Sequence, residues 1–268
     1  MSSTARGSAV ERVLAALLVA ALCSACAVEG SGTGEGFVGG APSVSSDEPT
    51  PDESSPEAAS PTATGPSSTR PSATPVARPG TALAALSRLT VKGRGPMTGY
   101  SRAQFGGRWP DVDRNGCDTR NDVLRRDLTS IRFRPGSDCV VASGRLLDPY
   151  TGDVIDFVRG AATSSKVQID HVVALGDAWQ KGAPRWTPDK RLAFANDPLN
   201  LLAVGGAVNQ AKGDGDAATW LPPRTAYRCA YVARQVAVKA KYGVSVTPAE
   251  RDAMARVLSR CPSQPLPR

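Results

Sequence analysis

Along the 268 residues the apolar positions fall into three regimes. Residues 13–22 form an unbroken apolar run, with Arg6 and Arg12 before it and small residues ending at Ala25 and Cys26 after it. A positive flank, a short apolar stretch and small residues make an export signal, and the run is too short to span a bilayer. Residues 28–80 hold Ser, Thr, Pro, Gly and Ala with scattered acids, too few large apolar side chains to offset chain entropy. They predict a disordered tether or linker, which Pro would keep extended. Only from residue 81 does the pattern become periodic. Helical spacing appears over 81–89 and 121–128, and strand-like pieces follow at 130–133, 139–143 and 154–158, separated by Pro135-Gly136 and by Asp148-Pro149-Tyr150-Thr151-Gly152. These three strands predict a small antiparallel sheet. The strongest apolar strand covers 167–175; a long loop, a second strand at 199–204 and a helical stretch over 207–220 come next, ended by Pro222-Pro223. Two final helices are predicted over 227–242 and 248–258, with Gly243 stopping the first and Thr247 capping the second. The fold class is therefore α+β, with no internal repeat.

Charge sharpens the boundary near residue 80. The first 80 residues carry four basic and eight acidic side chains, whereas the remainder carries 28 basic and 17 acidic, a net of +11. The organisation expected is a signal peptide over 1–26, a linker over 27–80 and a folded domain over 81–268. So basic a domain attracts polyanions, among them nucleic acid, anionic wall polymers and lipid headgroups. Cys26 after Ser24-Ala25 matches the lipid-modified cysteine of bacterial lipoproteins, although Cys23 stands where such signals carry an aliphatic residue. The product is thus either an extracellular protein or one anchored to the cell envelope through Cys26, its sole membrane attachment. Four cysteines remain in the domain, and an oxidising compartment favours pairing them. Three connectivities are open, with Cys117–Cys139 and Cys229–Cys261 suggested by proximity; the long spacings and missing C-x-x-C knuckle argue against a four-cysteine zinc site.

The chemistry converges on the one histidine, His171, which follows Asp170 inside the apolar strand Val167-Gln168-Ile169-Asp170-His171. Polar groups there need partners, and strand neighbours point to opposite faces unless a bulge or strand end joins them at one site. Downstream lie Asn196-Asp197-Pro198-Leu199-Asn200-Leu201, then Asn209-Gln210-Ala211-Lys212-Gly213-Asp214, then Trp220-Leu221-Pro222-Pro223. This ordered set, with Gly116-Cys117-Asp118-Thr119-Arg120, closely resembles the C-terminal nuclease domain of GmrSD-type restriction endonucleases, an HNH family, in its secreted actinobacterial members.

The resemblance, over about residues 100–260, implies a His-Me finger: two strands and a helix, here about 166–222, holding one divalent ion against the scissile phosphate. Carried over by motif, Asp170 and Asn209 are the metal ligands, His171 is the general base, and Asn200 orients the base or braces the loop. Lys212 and Arg120 are expected at phosphates, against the alternative of ordinary surface charge. Oxygen ligands favour Mg2+, or Mn2+, over a soft-metal site. Asp214 reads as a helix-stabilising acid, Asp177 as a loop-shaping residue and Asp197 as a turn residue, while the tryptophans either stack bases or pack the core. The implied activity is endonucleolytic hydrolysis of nucleic acid, DNA before RNA and with little sequence preference, by a monomer. The rival readings are an inactive wall- or polyanion-binding lipoprotein on the same fold, and a toxin-like effector with an immunity partner.

Overall fold

The computed structural model describes residues 78–267, so the expected export signal, the candidate anchor at Cys26 and nearly all of the linker lie outside the described residues. The architecture is α+β. The elements are α1 (Ala82–Leu86), α2 (Thr119–Asp127), β1 (Thr129–Phe133), β2 (Val141–Leu147), β3 (Val154–Val158), β4 (Val167–His171), α3 (Leu175–Gln180), α4 (Pro188–Ala195), β5 (Leu201–Gly205), α5 (Gly206–Lys212), α6 (Arg228–Tyr242) and α7 (Pro248–Leu258). β1, β2 and β3 form the expected antiparallel sheet in sequential order. β4 and β5 form a separate two-stranded antiparallel sheet, followed directly by α5. Among the described residues no helix is long and apolar enough to cross a membrane.

The β4–β5 pair is buried on both faces, which explains its nearly continuous apolar sequence. Its register runs without a bulge from Val167↔Gly205 to His171↔Leu201. Val167, Ile169, Leu201 and Ala203 point into a core shared with Val123 and Leu124 of α2 and with Phe157 of β3. Leu202 and Val204 point the other way, into a second core built by Tyr231, Val236, Met254 and Leu258 of the last two helices. A third cluster gathers Phe105, Trp179, Phe194, Val238 and Tyr242.

Local signals fix the ends of the helices. Thr247 caps α7 reciprocally with Glu250, and Gly243 closes α6 in the left-handed region at φ 71°. Asp118 caps α2 by accepting the Asn121 N–H. At the elbow between β5 and α5 only glycine fits, because a β-carbon on Gly206 would collide with the Ser165 carbonyl. Disulfides join Cys117 to Cys139 and Cys229 to Cys261, fastening the entry of α2 to that of β2 and the start of α6 to the residues after α7.

Three boundaries differ from the sequence expectation. The strand expected over 167–175 ends at His171, and Leu175 begins α3. The long loop before the next strand holds α3 and α4, the latter capped by Thr187 with Pro188 in its first turn. The helix expected over 207–220 stops at Lys212, where Gly213 turns the chain at φ 52°; residues beyond it form turns. Apolar spacing alone did not separate these pieces, because strand and short helix are equally apolar where both are buried.

Candidate functional site

His171 is the last residue of β4 and 7% exposed. Its Nε2 lies 2.9 Å from the Ala195 carbonyl oxygen, at the end of α4 where helix carbonyls lack helical partners. A carbonyl only accepts, so this bond fixes the tautomer: Nε2 carries the proton and Nδ1 is left as the acceptor. Burial pushes the imidazole down to about 3, the Ala195 bond opposing and the charges of Arg102 and Lys212 adding to the shift. The ring is therefore neutral at physiological pH. Trp109 lies nearly parallel to it, 8° between planes and 5.9 Å between centroids, from a backbone at φ 54° that a bulky residue adopts only at a cost of about 1–2 kcal/mol.

Asn200 is fully buried behind the imidazole. Its Oδ1 accepts from Val173 N at 2.8 Å, and its Nδ2 donates to the carbonyls of Val173 and Phe194 at 3.3 Å. One amide thus ties the segment leaving His171 to the end of α4, next to Ala195, and so holds both partners of the Nε2 bond.

The bulge-free register sends Asp170 to the face opposite His171, as period-two alternation demands. Its carboxylate accepts from Tyr150 Oη at 2.6 Å and from Lys212 Nζ at 2.9 Å, and Lys212 also donates to the His171 carbonyl. Burial raises Asp170 above the usual carboxylate range, with Lys212 and Tyr150 pulling it back. One turn earlier on α5, Asn209 donates to Gln168 Oε1 at 2.9 Å. The match is geometric: residues three apart on a helix and two apart on a strand are both spaced by roughly 5–7 Å, so 209 and 212 meet 168 and 170. Lys212 is accordingly buried, neither a surface charge nor in the cavity described next, where a phosphate contact had been expected.

A cavity of about 1000 Å3 opens beside His171. His171, Asn209 and Arg120 share its wall; Asp170, Asn200 and Lys212 do not line it. Arg120, on the first turn of α2, donates to the Val167 carbonyl at 3.1 Å. Sequence reasoning missed Arg102, Arg108 and Arg159, which line the same cavity. Nothing in the sequence distinguishes them from the other arginines, since they come from segments far apart in the chain. The Thr187-Pro188 pair, by contrast, is a helix-start signal that could have revealed α4.

Among the described residues no three His, Cys, Asp or Glu side chains come together to hold a metal. Asp177, expected to shape a loop, instead bonds Lys239 at 2.8 Å within a buried ion cluster. Asp197 is the turn residue expected, accepting the Leu199 N–H at 2.9 Å. Trp179 packs in the core with Phe105 and Tyr100, which leaves Trp109 as the tryptophan at the cavity.

Comparison with known proteins agrees with the motifs. The family described as GmrSD restriction endonucleases, C-terminal domain, matches residues 118–257, a span that includes His171, Asn200, Asn209 and Lys212. A protein of the fungus Arthroderma benhamiae described as an uncharacterized secreted protein is 42% identical over 183 residues, covering 68% of this chain and 85% of the relative. No solved structure matches. With a family match to more than half its length, the chain belongs to the family of GmrSD restriction endonuclease C-terminal domains.

Proposed function

We propose that the protein is an exported, metal-dependent endonuclease that hydrolyses phosphodiester bonds of nucleic acid, DNA before RNA, on an HNH or His-Me finger core. The observation that carries this reading is the state of His171: a neutral imidazole, its Nε2 proton engaged by Ala195, with Nδ1 as the acceptor in a cavity shared with Asn209 and four guanidiniums. Phosphodiester hydrolysis needs a proton taken from water, charge placed against the phosphate oxygens, and relief for the departing oxygen. His171 Nδ1 takes the proton. The Ala195 carbonyl then favours the imidazolium that forms, and Asn200 keeps the ring and that carbonyl in register. A positioned base of this kind contributes about 10²- to 10⁴-fold.

The donor set suits a hard ion rather than zinc. Asn209 Oδ1 takes no hydrogen bond among the described residues and reaches the cavity from its wall, so it would hold an Mg2+ or Mn2+ ion that keeps most of its ligands as water and phosphate oxygen. Asp170 would join it only by exchanging the Lys212 ammonium for the ion. Such an ion supplies positive charge to the phosphate and the leaving oxygen. Export is supported by the two disulfides and by the secreted relative; attachment through Cys26 is part of the same proposal.

The test is incubation of the purified chain with plasmid DNA and Mg2+ or Mn2+, with and without chelator. Nicking and linearisation that need the ion, and that disappear in His171→Ala, are expected. Absence of metal-dependent cleavage would overturn the reading in favour of a polyanion-binding protein on the same fold.

A further inference from the structure

The cavity beside His171 is lined by Arg102, Arg108, Arg120 and Arg159, and by no Asp or Glu. None of the four forms an ion pair among the described residues, although the domain makes many elsewhere. They also crowd one another. Arg120 is held below its ordinary value by burial first and then by the charge of Arg159, with Asp118 opposing and Arg108 adding to the shift, while Arg102 acts on His171. Two are held in place by the fold, since Arg159 donates to the Val141 carbonyl and to Asn121 Oδ1, both at 2.6 Å, and Arg120 to the Val167 carbonyl. Arg102 and Arg108 are exposed and Arg120 and Arg159 half-buried, and four cations on a wall that carries no carboxylate attract an anion. Their number describes that anion. Four cationic side chains on one cavity wall exceed the charge of a single phosphodiester, so one phosphate does not satisfy all of them. The volume, about 1000 Å3, also exceeds what a single nucleotide fills.

We propose that Arg102, Arg108, Arg120 and Arg159 form a cradle for the phosphates flanking the scissile one, so that the ligand of this cavity is a polynucleotide strand rather than a mononucleotide or a small phosphodiester. This rests on the nuclease reading for the identity of the polyanion, but not on catalysis.

The test is binding of a fluorescein-labelled 12-residue DNA strand to the full chain in chelator, by anisotropy across a salt series. Arg102→Ala with Arg108→Ala is the informative pair, since neither side chain makes a hydrogen bond or ion pair among the described residues and the fold does not depend on them. The pair is expected to weaken binding about 10- to 100-fold and to make the slope of log K against log salt shallower by about 1.4, two phosphate contacts at about 0.7 each. Arg145→Ala, an exposed residue paired with Asp156 outside the cavity, is expected to change neither. Thymidine monophosphate is expected to compete at least 100-fold more weakly than the unlabelled strand. Unchanged affinity and slope in the double variant, an equal loss in Arg145→Ala, or equal competition by the mononucleotide would each overturn the cradle. If the cradle variants lose binding while the wild type never cleaves DNA, the nuclease reading fails and the cradle stands; if the wild type cleaves and the variants bind unchanged, the cradle fails and the nuclease reading stands.

Discussion

Lys181 and Lys239 are buried in the interior of this domain, yet each ammonium is enclosed by carboxylates, whereas the guanidiniums around His171 face a cavity with none. Lys181 bonds Asp216 at 2.8 Å and Glu250 at 2.6 Å, Lys239 bonds Asp177 and Glu250 at 2.8 Å, and Arg94 reaches Asp216 at 2.6 Å. The signs balance, three cations to three anions, and the cluster joins α3, α6, α7 and the turn after α5. Its charges are spent inside the fold. Those of the cavity are left for something outside it. Charge thus separates scaffold from site only when the partners are counted, because a compensated buried cluster is closed to ligands while a cationic wall without carboxylates attracts an anion.

The largest expected effect lies on the cavity side. His171→Ala should lower the initial rate of DNA cleavage by about 10²- to 10⁴-fold while the circular dichroism spectrum is retained. Near-wild-type cleavage would remove His171 from the chemistry. On the other side, Lys239→Met leaves Asp177 and Glu250 to share Lys181 in the core with one positive charge too few, and should cost about 3–5 kcal/mol of stability, read from urea unfolding. A variant as stable as the wild type would mean the cluster is hydrated rather than closed. The disulfides sharpen the contrast, since one joins the start of α6 to the residues after α7, the two helices that carry Lys239 and Glu250, and the other precedes the helix that carries Arg120. Replacing both Cys229 and Cys261 by Ser should cost about 2–5 kcal/mol with oligonucleotide affinity unchanged; replacing Cys117 and Cys139 should cost stability and affinity together, because Cys117 precedes the helix that carries Arg120. Equal effects on affinity would erase the distinction.

The smallest effect is a pH dependence. His171 is held at about 3 in the folded protein, below its unfolded value of about 6.5, so between these values the unfolded chain binds the extra proton. Stability therefore falls as pH drops through that window, by about 1 kcal/mol between pH 7.5 and 5.5. Melting in chelator across this range, compared with His171→Gln, isolates it: the variant should lose this part of the slope. Identical slopes would place a protonated imidazole in the folded protein.

Much of the fold was legible in the sequence. The three-stranded sheet, α6 and α7 followed from period and capping, because Gly243 and the Thr247–Glu250 pair act within a single turn. Asn200 and Asn209 stood out through the resemblance of their motifs to the family, and the fold places Asn200 just before β5 and Asn209 on α5. α3 and α4 were hidden, since each is too short for an apolar stripe to show its period. Lys212 read as a phosphate contact, with surface charge as the alternative; nothing nearby in sequence announced that the Asp170 carboxylate and the His171 carbonyl would take its ammonium.

The amino-acid order by itself determined the element types with strong local signals, the basic character of the domain, and the residue proposed as the base, there being one histidine to choose. Tertiary structure alone decided which charges neutralise one another. Coulomb energy depends on separation in space and on exclusion of water, and arginines at 102, 108, 120 and 159 acquire a common cavity only after α2, β3 and β4 have packed.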